Sequence, residues 1–214
     1  MRVEHKDALR KLFVILFVVS ALLLLCLGAA SSEEIRRLSQ EMGWKAGQTI
    51  ADVGAGEGEI GFAAAEAVGK TGKVYLTELD GSKRKALEDE VRRRGMKNAI
   101  VIQAAEKQTN LPDNCCDGIV LRRVYHHLTA PAEMDASLLR SLKPGGELAV
   151  IDFPPRKWLN ENDPVKGVPA NRGGHGIPQK ILIEEVSTAG LHVEKILDDW
   201  PEDSYFVIFR KAAQ

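Results

Sequence analysis

The chain has 214 residues, of which 44% are hydrophobic and 28% charged, and its net charge is −1. That length suits one medium domain with a short appendage, and the composition excludes wholesale disorder. The near-balanced charge argues against a protein that grips nucleic acid by neutralising phosphates. Of the three cysteines, two are adjacent at 115 and 116, which excludes a disulfide-stapled miniprotein and offers no zinc-type spacing.

From Leu12 to Ala30 the sequence reads LFVILFVVSALLLLCLGAA, with no charge in the run. A spanning helix needs about 20 apolar residues, and a signal-peptide core about 7–15. Residues 1–30 are therefore expected to be a membrane anchor, with residues 31–214 as the folded domain. The small residues Gly28 and Ala30 leave a second option, cleavage near Ala30 and export. Arg2, Lys6, Arg10 and Lys11 outweigh Glu4 and Asp7 ahead of the run. Such a flank tends to stay in the cytoplasm, which sends the domain across the membrane. Arg36 and Arg37 weaken that bias, and the side of the membrane stays open.

Beyond the anchor, strands and helices alternate. Glu33 to Met42 carries Ile35, Leu38 and Met42 at helical spacing. Thr49–Val53 is a short apolar strand ending in glycines. Residues 59–68 are an Ala-rich helix stopped by Gly69. Strands follow at 73–77, 99–102, 117–121 and 147–152. Helices follow at 82–94 and 132–142, and Lys143–Gly146 is a turn. This alternation predicts right-handed βαβ units and a doubly wound parallel sheet. The end differs. A helix at 179–189 precedes strands at 192–197 and 205–210, and the short polar link DDWPEDS between them cannot hold a crossover helix, so this last pair is antiparallel. Residues 154–177, rich in proline and glycine, are expected to be a long loop of functional kind.

The densest chemical signal is Asp52-Val53-Gly54-Ala55-Gly56-Glu57-Gly58, lying between a strand and a helix. Glycines allow sharp turns and close approach of a ligand, and the helix N-terminus favours negative charge. Glu78 ends the next strand, where an acid accepts both hydroxyls of an adenosine-type ribose. Asp80 is the poorer candidate for that role. Ala105 and Glu106 follow the third strand, where a backbone N–H and an acid would meet the adenine.

DVGAGEG resembles the first motif of the class I S-adenosylmethionine-dependent methyltransferases. The likeness runs from about residue 43 to 210 and includes GKVYLTELD, VYHHL, LKPGGELAVID and the closing hairpin. It implies a seven-stranded sheet with the last strand antiparallel, a Rossmann-like methyltransferase fold. It also implies S-adenosylmethionine as cofactor. By position it places Asp52, Gly54, Ala55, Gly56 and Gly58 against the methionine part, Glu78 and Leu79 at the ribose, and Ala105 and Glu106 at the adenine. Arg122 falls at the end of the fourth strand, beside the transferred methyl group. Relatives often carry an acidic or small polar residue in or beside Arg122-Arg123, and a threonine or serine where Glu57 stands.

Methyl transfer from a sulfonium is an in-line displacement, so the protein mainly orients the acceptor and manages a proton. Tyr125 and His126, beside His127, follow the fourth strand, and His175 lies in the long loop. Tyr125, His126 and His175 are the catalytic candidates, with His127 as the alternative to His126, since a histidine suits a proton acceptor near neutral pH. The three histidines lack a supporting carboxylate spacing, so no metal is expected. The two arginines suit an acidic acceptor. The expected partners are a small-molecule acceptor, acidic or lipid-like, and a membrane through residues 12–30. Two other classes share these features: an NAD-type oxidoreductase, and a membrane-tethered module that binds the cofactor without transfer. The position of Asp52, the KPGG turn and the terminal hairpin weigh against the oxidoreductase.

Overall fold

The computed structural model describes residues 32–162 and 164–213. The apolar run at 12–30, expected to be an anchor, lies outside the described residues. Among the described residues no helix is long and apolar enough to cross a membrane. Residues 32–41 form a helix, α1, in a unit of its own; the second unit runs from Met42 onward.

The second unit opens with β1 (Thr49–Val53) and α2 (Glu59–Val68), followed by β2 (Lys73–Glu78), α3 (Gly81–Arg94) and β3 (Ala99–Gln103). It continues through β4 (Cys116–Arg122), α4 (Pro131–Ser141) and β5 (Leu142–Asp152). A short helix α5 (Lys157–Asn162), α6 (Gln179–Thr188), β6 (Leu191–Trp200) and β7 (Ser204–Lys211) complete it. The seven strands lie in the order β3-β2-β1-β4-β5-β7-β6. β1 through β5 pair in parallel, while β7 is antiparallel to both β5 and β6. This is the expected doubly wound sheet with its closing hairpin.

Both faces of the central strands β1, β2, β4 and β5 are buried, as parallel strands require. Ile50, Val74 and Leu76 pack with Phe62, Val68 and Leu87 beneath α2 and α3. Ala51, Val53 and Tyr75 point the other way, into a cluster with Leu138 of α4 and Leu182 and Val186 of α6. The alternation along β1 and β2 is the period-two signature of strand side chains.

Local stops follow side-chain chemistry. The Asp80 carboxylate caps α3 by accepting the N–H groups of Ser82 and Lys83, both at 2.9 Å. Asn98 donates to the carbonyls of Ala65 and Gly69 at the end of α2. Two sequence expectations change. The LKPGG segment is part of β5, which begins at Leu142 and passes a register shift opposite Cys116–Gly118. The stretch 154–177 is not bare loop: it contains α5 and a 3₁₀ turn at Ala170–Arg172. Cys115 and Cys116 are joined by a disulfide.

Candidate active site

The parallel strands β1, β2 and β4 end on one rim, and the chain after each builds the site there, as open α/β sheets favour. After β1, Gly54, Gly56 and Gly58 take positive φ angles of 72°, 57° and 82°. The resulting turn folds back on β2: the N–H groups of Gly54 and Ala55 both donate to the Thr77 carbonyl at 2.9 Å. Glu78 is 8% exposed and faces this turn. Its carboxylate accepts the Gly56 N–H and the Asp80 N–H, each at 3.0 Å.

A cavity of about 410 Å³ opens between these groups. Its wall carries Gly54, Gly56, Glu78, Leu79, Ala105, Glu106 and Arg122, seven of the ten expected cofactor residues. Val124, His127, Thr129 and Met134 line its other part. A second cavity of about 270 Å³ shares Gly54, Gly56 and both arginines, and adds Asp52, Ala55, Glu57 and Glu59. Gly58 lines neither; a Cβ there would meet Phe62 and Leu87 within 2.7 Å, so this glycine serves packing. The Ala105 N–H, expected at the adenine, donates instead to the Gln108 carbonyl at 2.9 Å.

Asp52 is 3% exposed, and its carboxylate accepts the Gly61 N–H at 2.9 Å near the start of α2. The negative charge at that helix end is thus the protein's own. Burial pushes the Asp52 carboxyl up to about 7; the Gly61 hydrogen bond and the nearby Arg122 oppose the rise, and Glu78 and Glu59 add to it. The Arg122 guanidinium donates to Glu59 at 3.0 Å, and Arg123 pairs with Glu202. Both arginines are therefore charge-compensated where they stand.

The three catalytic candidates separate. Tyr125 is fully buried, and its hydroxyl bonds to Asp135 at 2.7 Å and Glu185 at 3.2 Å. Burial, and then the Asp135 charge, raise its phenol far above the ordinary value, so it does not serve as a base from this position. His126 is 2% exposed, with Nδ1 at 2.8 Å from Asp152 Oδ1. His175 is 7% exposed, and its ring lies 5.0 Å from that of His126. His127, next in sequence, is exposed and borders the larger cavity. Asp152, Glu185 and Arg172 were missed as partners of this region. Asp152 ends a strand beside β4, a placement that the strand order alone reveals.

Comparison with known proteins fits this geometry. Residues 51–150 match the family described as "Methyltransferase domain". The chain is 33% identical over 112 residues to the ubiquinone/menaquinone biosynthesis C-methyltransferase UbiE of Salmonella arizonae. A solved methyltransferase dependent on S-adenosylmethionine, from Aquifex aeolicus, superposes with a TM-score of 0.68 at 25% identity, over 82% of this chain and 88% of that one. Over these stretches the chain is similar to S-adenosylmethionine-dependent methyltransferases. S-adenosylmethionine, the cofactor named for the Aquifex aeolicus structure, is the one that the resemblance of DVGAGEG implies. A geranyl diphosphate methyltransferase solved with the cofactor shares the fold, with a TM-score of 0.69 at 12% identity over 85% of each chain. The UbiE match covers 52% of this chain and 45% of the relative, so the chain spans about half the length of the curated relatives it matches.

Proposed function

We propose that this chain transfers the methyl group of S-adenosylmethionine to a small-molecule acceptor, and that the acceptor is a quinol-type ring methylated at carbon. The observation that carries the reading is the single cavity joining the glycine turn and Glu78 to Val124, His127 and Thr129. A nucleoside sugar fits at Glu78, whose carboxylate is already fixed by two backbone donors. The methionine end lies toward Asp52 and Arg122, where a buried carboxylate and a guanidinium suit an amino acid's ammonium and carboxylate. The acceptor then enters on the His127 side. The 33% identity to a quinone C-methyltransferase supports the acceptor class. An apolar run at 12–30 supports it too, since an anchor concentrates an amphiphilic acceptor.

The protein supplies position and proton management. When bound, the cofactor brings an activated methyl group, and the fold aligns it with the attacking carbon. His127, exposed on the cavity wall, is placed to take the proton released by the acceptor ring. The test is thermal melting of the full chain with S-adenosylhomocysteine and with NAD, followed by methyl transfer from labelled cofactor to a panel of demethylated quinols. A rise in Tm with the first compound alone and label in a quinol are expected. A rise with NAD alone overturns the cofactor reading, and label confined to oxygen or nitrogen acceptors overturns the acceptor class. Glu78→Gln is expected to weaken cofactor binding about tenfold or more, the cost of one charged hydrogen-bond partner.

A further inference from the structure

We propose that His126, His127 and His175 form a binding site for a first-row transition-metal dication of the zinc type. One donor nitrogen from each histidine lies within 4.8 Å of those of the other two. The rings are clustered, with centroids 4.0 Å apart for His126 and His127, 5.0 Å for His126 and His175, and 5.5 Å for His127 and His175.

The decisive feature is how His126 is held. Asp152 Oδ1 takes the His126 Nδ1 at 2.8 Å and the Phe153 N–H at 2.9 Å, while Oδ2 takes the His126 N–H at 3.1 Å. Three donors converge on this carboxylate, so it acts purely as acceptor and the proton sits on Nδ1. The lone pair is then left on Nε2. That atom is buried and has no hydrogen-bond partner among the described residues. A buried orphan of this kind carries a desolvation cost that a metal ion removes. A carboxylate bonded to the far nitrogen of a histidine is the arrangement that orients metal-ligating imidazoles.

His175 reaches the cluster because its loop is laced to the end of β5. The Arg156 N–H donates to the His175 carbonyl and the Ile177 N–H to the Phe153 carbonyl, both at 2.9 Å. A zinc ion about 2.1 Å from three nitrogens in tetrahedral array sets them about 3.4 Å apart. Binding the ion therefore requires the His127 and His175 rings to draw closer to His126 than they stand. Three imidazoles leave one position open, and a His127 ring so ligated no longer serves as the proton acceptor, a role it has only in the metal-free chain. Imidazole donors suit zinc, copper, iron and nickel rather than magnesium or calcium.

The full chain, stripped with a chelator, is titrated with zinc against a chromophoric competitor, and separately with cobalt while visible absorption is recorded. About one equivalent of tight binding and the d–d bands of a tetrahedral cobalt site are expected. His127→Gln and His175→Gln are expected to abolish both signals. Asp152→Asn is expected to lower zinc affinity about 10–100-fold. His192→Gln, on the distant β6, is expected to bind as wild type. His127 is exposed, so its variant keeps the fold, and circular dichroism checks each protein. Binding that survives His127→Gln and His175→Gln overturns the proposal, and so does a folded wild type that takes up no zinc. These readouts stand whether or not methyl transfer is detected.

Discussion

Asp52 shows how one buried side chain carries both structure and chemistry. Its carboxyl titrates near 7 in the folded chain, against about 4 when unfolded. Between those values the folded state holds the extra proton, so folding stability falls as pH rises through that window. Ionised Asp52 therefore costs the fold about 4 kcal/mol at most by pH 8. Denaturant melts at pH 5 and pH 8 are expected to show about 3 kcal/mol of this loss, and Asp52→Asn is expected to remove most of it. Asp135 titrates near 7 for a similar reason, burial opposed by the Tyr125 hydrogen bond, so a residual slope remains in the variant. A cofactor ammonium beside Asp52 would favour the carboxylate and offset the cost. At this scale the sequence is a partial guide. The positions of Glu78 and the glycine turn were legible because tight turns demand glycine and strand ends aim their side chains outward. The use of the Ala105 N–H was not legible, because Gln108 claims it through a local turn that no spacing signals. Nor was the burial of Tyr125, which depends on Asp135 and Glu185 from two other helices.

Among the elements, the stretch between β5 and α6 departs furthest from the sequence expectation, a long loop without elements of its own. It is anchored by Arg172, which is 1% exposed and donates to Glu185 of α6 at 2.6 Å. The same guanidinium lies 5.7 Å from the Tyr125 ring. Breaking a buried ion pair by removing one partner leaves a charge stranded, at a cost of about 3–5 kcal/mol. Arg172→Met is expected to lower stability by that order, read from urea melts. Replacing both partners, with Glu185→Met added, is expected to recover part of the loss. Strand pairing, by contrast, was legible early: the link between β6 and β7 is too short for a helix, and only an antiparallel partner is reachable. The bulge opposite Cys116–Gly118 was not, because the KPGG residues read as a turn while the structure threads them into β5.

For the whole molecule, the open matter is what the N-terminal run does for the domain. We propose that residues 12–30 hold the chain at a bilayer. Flotation of the full chain with liposomes is expected to carry it to the top of the gradient through an alkaline wash, and a chain beginning at Ser31 is expected to stay at the bottom. A full chain that stays with the truncated one removes the anchor. Protease added to intact vesicles then reports the side on which the domain lies.

The glycine turn also ties two specificities together. The missing Cβ of Gly54 faces Val124, whose Cγ2 would lie 2.6 Å from it. Val124 stands on the part of the cavity where the acceptor is proposed to enter. Any side chain at 54 shifts that wall, so the donor pocket and the choice of acceptor are free to diverge only in concert.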